Sequence, residues 1–156
     1  MFQKIFDELS YEYQEIREAF KNGNLIRALE ICKEKKTEES LVLESIILII
    51  LRRYSKAIEI LENIKLDNLK LINIDIYYEL LGLCYYEEKN HLESAKNFIK
   101  ALEYNKQNFY AKYNLSNIYI LKKDYKRAYE YLLELEEIEP TNENIIKNLK
   151  LLEKFL

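Results

Sequence analysis

This 156-residue sequence is short of the residues that interrupt helices: it has two glycines, Gly23 and Gly82, and one proline, Pro140. The two types together usually make up roughly 12% of a chain, so the many turns of a β-sandwich or barrel are not provided for. Histidine is equally scarce. With His91 alone, no metal site or dyad built on two imidazoles can form. Cys32 and Cys84 have no metal-ligand spacing and make no disulfide framework, and they read as small, half-buried packing residues in a reducing compartment. Two isolated glycines cannot build a phosphate-cradling loop. The most apolar stretch, Leu41–Leu51, is eleven residues long and broken by Glu44 and Ser45, whereas a bilayer span needs about 20. The start, MFQKIFDELS, carries Asp7 and Glu8 and no small-residue cleavage site, so it does not read as a signal peptide. A cytoplasmic protein without a membrane span is the expectation.

Charge is balanced. The chain has 24 basic and 27 acidic side chains, net −3, and lacks the overall basic field that announces a nucleic-acid binder. Arg52-Arg53-Lys56 and Lys122-Lys123-Lys126-Arg127 are local basic groups, and cations near helix C-termini also complement the helix dipole. The carboxylate pairs Glu38-Glu39, Glu87-Glu88 and Glu136-Glu137 fall among polar neighbours and read as solvated helix ends. The expectation is therefore a protein that is not an enzyme and holds no cofactor or metal.

The sequence is rich in Leu, Ile, Glu, Lys and Tyr, and it repeats. Residues 75–108 and 109–142 abut, and each is 34 residues long. Superposed, they set Gly82 on Ser116, Tyr85 on Tyr119, His91 on Tyr125, Ser94 on Ala128 and Phe98 on Leu132. A third copy, residues 38–71, places Ser45, Leu48, Tyr54, Ala57 and Leu61 in the same columns. Residues 72–74 then form an insertion. A shorter, degenerate copy covers Leu9–Thr37. Two helices per copy follow from these columns: small residues (Ser45, Gly82, Ser116 against Ala57, Ser94, Ala128) let the pair cross closely, and large ones fill the surrounding space. Asn24, Asn90 and Asp124 are placed to cap the second helices, with Gly23 as a left-handed stop before Asn24. Arg53 holds the equivalent place in residues 38–71, with Ser55 as a substitute cap, and Glu93 lies where it could close a capping box on Asn90. Beyond Pro140, Ile145, Ile146, Leu149, Leu152 and Phe155 recur at helical spacing, which predicts a capping helix over 142–155.

These columns resemble the tetratricopeptide repeat. The family pattern of aromatic, Leu-Gly, Tyr, Ala, Phe and Pro is matched by Tyr78, Leu81-Gly82, Tyr85, Ser94 and Phe98, with Lys106 where proline is usual. The next copy matches it at Leu115-Ser116, Tyr119, Ala128, Leu132 and Pro140, with Lys112 replacing the first aromatic. The resemblance implies an all-α fold: a single-domain α-solenoid of about four antiparallel helix pairs plus the capping helix. It also implies a scaffold, adaptor or chaperone-like protein that binds another protein along a concave face lined by the first helices. On that geometry the lining residues are Tyr13, Arg17 and Phe20; Val42, Ile46 and Ile49; Glu79, Leu83 and Tyr86; Tyr110, Tyr113, Asn117 and Ile120; and Lys147 and Leu151. The set lacks the Lys–Asn–Arg clamp with which some family members hold a C-terminal carboxylate. An apolar peptide or helix is the expected ligand.

A second expectation concerns the N-terminus. Phe2, Phe6, Leu9, Tyr13, Ile16 and Phe20 are spaced 4, 3, 4, 3 and 4, a heptad-like stripe over about twenty residues. Such a helix suits either packing into the chain's own groove or pairing with a second copy as a homodimer. Leu41–Leu51 is apolar almost all round, which predicts burial from several sides.

Overall fold

The computed structural model describes residues 2–8 and 10–156, and within them the regular structure is entirely helical. Ten α-helices follow in order: α1 (Phe2–Asp7), α2 (Gln14–Lys21), α3 (Leu25–Lys35), α4 (Glu38–Ile50), α5 (Tyr54–Glu62), α6 (Ile74–Glu87), α7 (His91–Tyr104), α8 (Phe109–Leu121), α9 (Tyr125–Ile138) and α10 (Glu143–Leu152). Consecutive helices pack on one another, with α2–α3, α4–α5, α6–α7 and α8–α9 as tight pairs. The first helices also touch each other, α4 with α6 and α6 with α8. They therefore form an inner layer, and α5, α7 and α9 lie outside it. This is the all-α arrangement of stacked antiparallel pairs that the repeat predicts.

The small-residue columns do what their size allows. Ser45, Ala57, Gly82, Ser94, Ser116 and Ala128 are all buried. At the α6–α7 crossing the Ser94 hydroxyl donates to the Gly82 carbonyl at 2.8 Å. A Cβ on Gly82 would sit 2.7 Å from Cδ1 and Cε1 of the buried Phe98 ring. No side chain at all is the only fit there. Cys32 and Cys84 are more buried than the sequence suggested, both fully enclosed, and burial pushes each thiol up to about 12.

The four turns between paired helices share one backbone design. The residue before each second-helix cap lies in the left-handed region: Gly23 (φ 72°), Arg52 (56°), Lys89 (64°) and Lys123 (60°). In each turn that residue donates its N–H three residues back, and the next residue donates five back. Lys123 N–H to the Ile120 carbonyl at 2.9 Å and Asp124 N–H to Tyr119 at 2.9 Å are one instance. This paired closure ends the first helix and satisfies its last carbonyls. Asn24, Asn90 and Asp124 then cap as expected, accepting from the N–H groups of Arg27, Glu93 and Arg127.

Two capping expectations are corrected. Arg53 has no side-chain cap bond and Ser55 does not replace it, because the Ser55 hydroxyl donates to Glu88 across the neighbouring turn at 2.9 Å. Glu93 does not close a box on Asn90. Its carboxylate pairs with Lys96 at 2.6 Å, and the Asn90 N–H already donates to Tyr85. The closed capping box is at Thr37–Ser40, opening α4.

The Glu38-Glu39 pair is also corrected. Glu39 is buried and accepts from the N–H groups of Lys70 and Leu71 at 2.7 and 3.2 Å, while Glu38 accepts from Lys65 N–H. These acids pin the irregular 63–73 connection back onto the start of α4. They are structural anchors rather than a solvated end.

The heptad-like stripe is not one helix. Ser10 is extended (φ −62°, ψ 165°), the chain turns there, and Phe6 stacks on Phe20 with ring centroids 3.8 Å apart. Fourteen residues of continuous helix would hold those rings about 21 Å apart. The Lys21 ammonium meets Asp7 at 2.6 Å, so α1 lies folded back on the end of α2. Leu9, which the stripe includes, lies outside the described residues. At the other end, Ile145, Leu149 and Leu152 of α10 pack on Ala128, Leu132 and Leu135 and cover the last pair, as a capping helix must.

Candidate functional site

The inner layer divides into a closed half and an open half. At the N-terminal end Tyr13, Val42, Ile46 and Ile49 are buried, and Arg17 and Phe20 are half-buried. Every residue of α4 from Val42 to Ile49 is buried. Eight consecutive residues make more than two turns, so α4 is covered on all sides, including the side that α6 and α8 leave partly open. Val42, Ile46 and Ile49 share a buried cluster with Ile5 and Phe6 of α1. Tyr13 is fixed further by a 2.9 Å hydrogen bond between its hydroxyl and that of Thr37, and Lys35 lies over its ring.

The C-terminal half offers surface. Leu83 and Tyr86 on α6, and Tyr113, Asn117 and Ile120 on α8, are half-buried; Tyr110, Lys147 and Leu151 are exposed. The aromatic groups are linked. Phe109 meets Tyr110 edge-on at 5.7 Å and lies parallel to Tyr113 at 6.5 Å. Tyr86 contacts His91 at 5.4 Å, with Lys89 over its other neighbourhood at 6.0 Å from the ring centroid. Phe109 was not among the lining residues read from the sequence. Its spacing of four from Tyr113 is the signal that places it on the same face.

Between the halves sits Glu79, a buried carboxylate whose Oε1 has no hydrogen-bond partner among the described residues. Burial, helped by the nearby Asp75 carboxylate and opposed by a hydrogen bond with Asn108, raises its pKa to about 7. Asp75 is itself satisfied by the side-chain amides of Asn105 and Asn108 at 2.9 and 3.0 Å. Both amides come from the far end of the repeat, so this cluster ties α6 to the start of α8. Lys112 is buried as well and pairs with Glu134 on α9 at 2.6 Å, which explains how a lysine stands in an aromatic column.

No group of three or more potential metal ligands gathers among the described residues, and no described helix is long and apolar enough to cross a membrane. The arrangement presents half-buried aromatic and aliphatic groups that can meet an apolar surface.

The tetratricopeptide repeat profile matches residues 76–108 and 109–142. No curated protein matches the chain significantly in sequence. Among solved structures, a crystal structure of MamA is 17% identical and superposes with a TM-score of 0.77, covering 89% of this chain and 82% of that one. A second MamA crystal structure is 16% identical, with a TM-score of 0.77 and coverage of 97% and 81%. MamA from Desulfovibrio magneticus RS-1, from residue 41 to its end, is 19% identical, with a TM-score of 0.70 and coverage of 84% and 75%. At these identities the likeness concerns the fold.

Proposed function

We propose, from the premise that this chain is a tetratricopeptide-repeat protein, that it is a non-enzymatic scaffold whose inner layer holds an apolar helix or peptide of another protein. The seat is the C-terminal half, where Leu83, Tyr86, Tyr113 and Ile120 keep part of their apolar surface open. That contrast between two halves of one inner layer is the observation that carries the reading. An apolar patch with an aromatic centre and a few isolated polar groups is what a helix-in-groove ligand requires. A C-terminal carboxylate is a poor ligand here, because the lining set lacks the Lys–Asn–Arg clamp that would hold it.

The closed half is read as already filled. Phe6 is fully buried against Phe20, and α1 has spent its apolar face within the chain. Homodimerisation through that face therefore requires α1 to leave first.

The test compares affinity capture by the wild-type chain and by a Leu83→Lys, Tyr113→Lys variant. Partners identified by mass spectrometry should be lost from the variant while its far-UV circular dichroism is unchanged. Undiminished capture by a folded variant would sink the proposal. Light scattering over a concentration series addresses the dimer: a strict monomer throughout excludes it.

A further inference from the structure

The edge of the solenoid formed by the four turns between paired helices has a character unlike the rest of the chain. Taken three residues either side of each second-helix cap, the segments are 21–27, 50–56, 87–93 and 121–127. They hold ten basic and four acidic side chains, a net of +6, so the remainder of the chain carries −9. The turns neighbour one another, as the Ser55–Glu88 hydrogen bond between the second and third shows.

Helix electrostatics accounts for only part of this. Lys122 and Lys123 follow the C-terminus of α8, where a cation is favoured. Arg27, Lys56, Lys126 and Arg127 lie instead in the first turns of α3, α5 and α9, which contain no acid. A cation there opposes the helix dipole. Three of the four left-handed turn positions are also cationic (Arg52, Lys89, Lys123), where glycine, as at Gly23, is the unstrained choice. The left-handed positions add strain that glycine would avoid, whereas Arg27 and Arg127 are held by Glu30 at 3.3 Å and Asp124 at 3.5 Å.

Exposed aliphatic side chains are set among these cations. Ile26 is 72% exposed, Leu92 60%, Leu121 56%, and Ile50 and Leu51 37% each. None of the large exposed hydrophobic residues in these segments is aromatic. A single-strand nucleic-acid track relies on aromatic platforms beside its cations. Cations interleaved with aliphatic side chains match a charged headgroup layer above hydrocarbon instead.

We propose that this edge docks reversibly on an anionic lipid surface, with the second and fourth turns as the contact points. Arg52, Arg53, Lys122 and Lys123 meet the headgroups, and Leu51 and Leu121 enter the interface beside them. The third turn carries Glu87, Glu88 and Glu93 against Lys89, which lowers the charge between the contact points without reversing the sum. Docking on this edge leaves the inner layer free.

The experiment is co-sedimentation of the full chain with vesicles of phosphatidylcholine alone or mixed with phosphatidylserine. Binding to the mixed vesicles only, weakening with salt, is expected. Each cation at such a surface is worth roughly fivefold in binding, so Lys122→Gln with Lys123→Gln should weaken it about 25-fold. Leu51→Ser with Leu121→Ser should weaken it at least about tenfold, at high salt as well as low. Both pairs are exposed, and circular dichroism should show them folded. No binding to mixed vesicles would overturn the proposal, as would binding that either pair leaves unchanged. Tight binding of a single-stranded oligonucleotide with vesicles ignored would assign the edge to nucleic acid and overturn it equally.

Discussion

Replacing Gly82 with alanine should destabilise the protein, although alanine is the better helix former. In an open helix the change gains about 1 kcal/mol. Here the new methyl would lie 2.7 Å from two carbons of the Phe98 ring and 3.0 Å from Cγ. Phe98 is fully buried, and a close-packed core leaves such a ring little room to swing. The helices must separate, and such overpacking costs about 1–3 kcal/mol. Separation also stretches the 2.8 Å bond from Ser94 to the Gly82 carbonyl, a loss of about 1 kcal/mol. The net expectation is about 2 kcal/mol of destabilisation, or a Tm lower by roughly 4–8 °C for a chain of this size. Thermal and urea unfolding followed by circular dichroism would measure it, with the urea slope checked for loss of two-state behaviour in a stacked fold. Phe98→Leu provides the internal control. In that background the ring is gone, and the alanine penalty should shrink by at least about 1 kcal/mol, a coupling that a double-mutant cycle reads directly. If Gly82→Ala raises Tm, or if its cost is the same with Leu at 98, the close-crossing account of the small-residue column is wrong.

Two further predictions concern backbone and charge. Lys89→Gly and Lys123→Gly each relieve a left-handed residue (φ 64° and 60°), so each should stabilise by about 0.5–1 kcal/mol in urea unfolding, while Gly23→Ala should do the reverse. Glu79 has its folded pKa raised from 4.5 to about 7, so the folded state binds the proton more tightly than the unfolded one. Stability from this group is full below about pH 4.5 and falls as pH rises towards and past 7. Glu79→Gln should therefore stabilise by about 3 kcal/mol at pH 8 and by almost nothing at pH 4. A gain that does not change with pH would refute the assignment.

The pairwise fold was legible because its determinants recur locally. Gly82, Ser94 and Phe98 meet through a register that a 34-residue period displays directly, and the caps at Asn24, Asn90 and Asp124 are decided within four residues. What escaped depends on distant partners or overrides local preference. Nothing near Glu39 announces that it anchors Lys70 and Leu71, some thirty residues on. Arg52, Lys89 and Lys123 sit where intrinsic preference asks for glycine, so the turn design shows itself only in the backbone. Ser55 looked like a spare cap because local reasoning cannot see Glu88 across the next turn.

The N-terminal stripe failed for a different reason. Spacings of 4, 3, 4, 3 and 4 put apolar groups on one side of a continuous helix, but they equally give two short helices each an apolar side to close on the other. Only the break at Ser10 distinguishes the cases, and a single serine is weak punctuation. The outcome matters for the candidate site. A continuous helix would have carried Phe6 about four turns away from Phe20. Folding back sets Phe6 on Phe20, in one cluster with Val42, Ile46 and Ile49. The all-round apolarity of α4 is thus what a helix needs when neighbours cover both its outer and inner sides. α8 is mixed instead, and Tyr113, Asn117 and Ile120 stay half-buried, as suits a helix whose inner side is not fully covered within the chain.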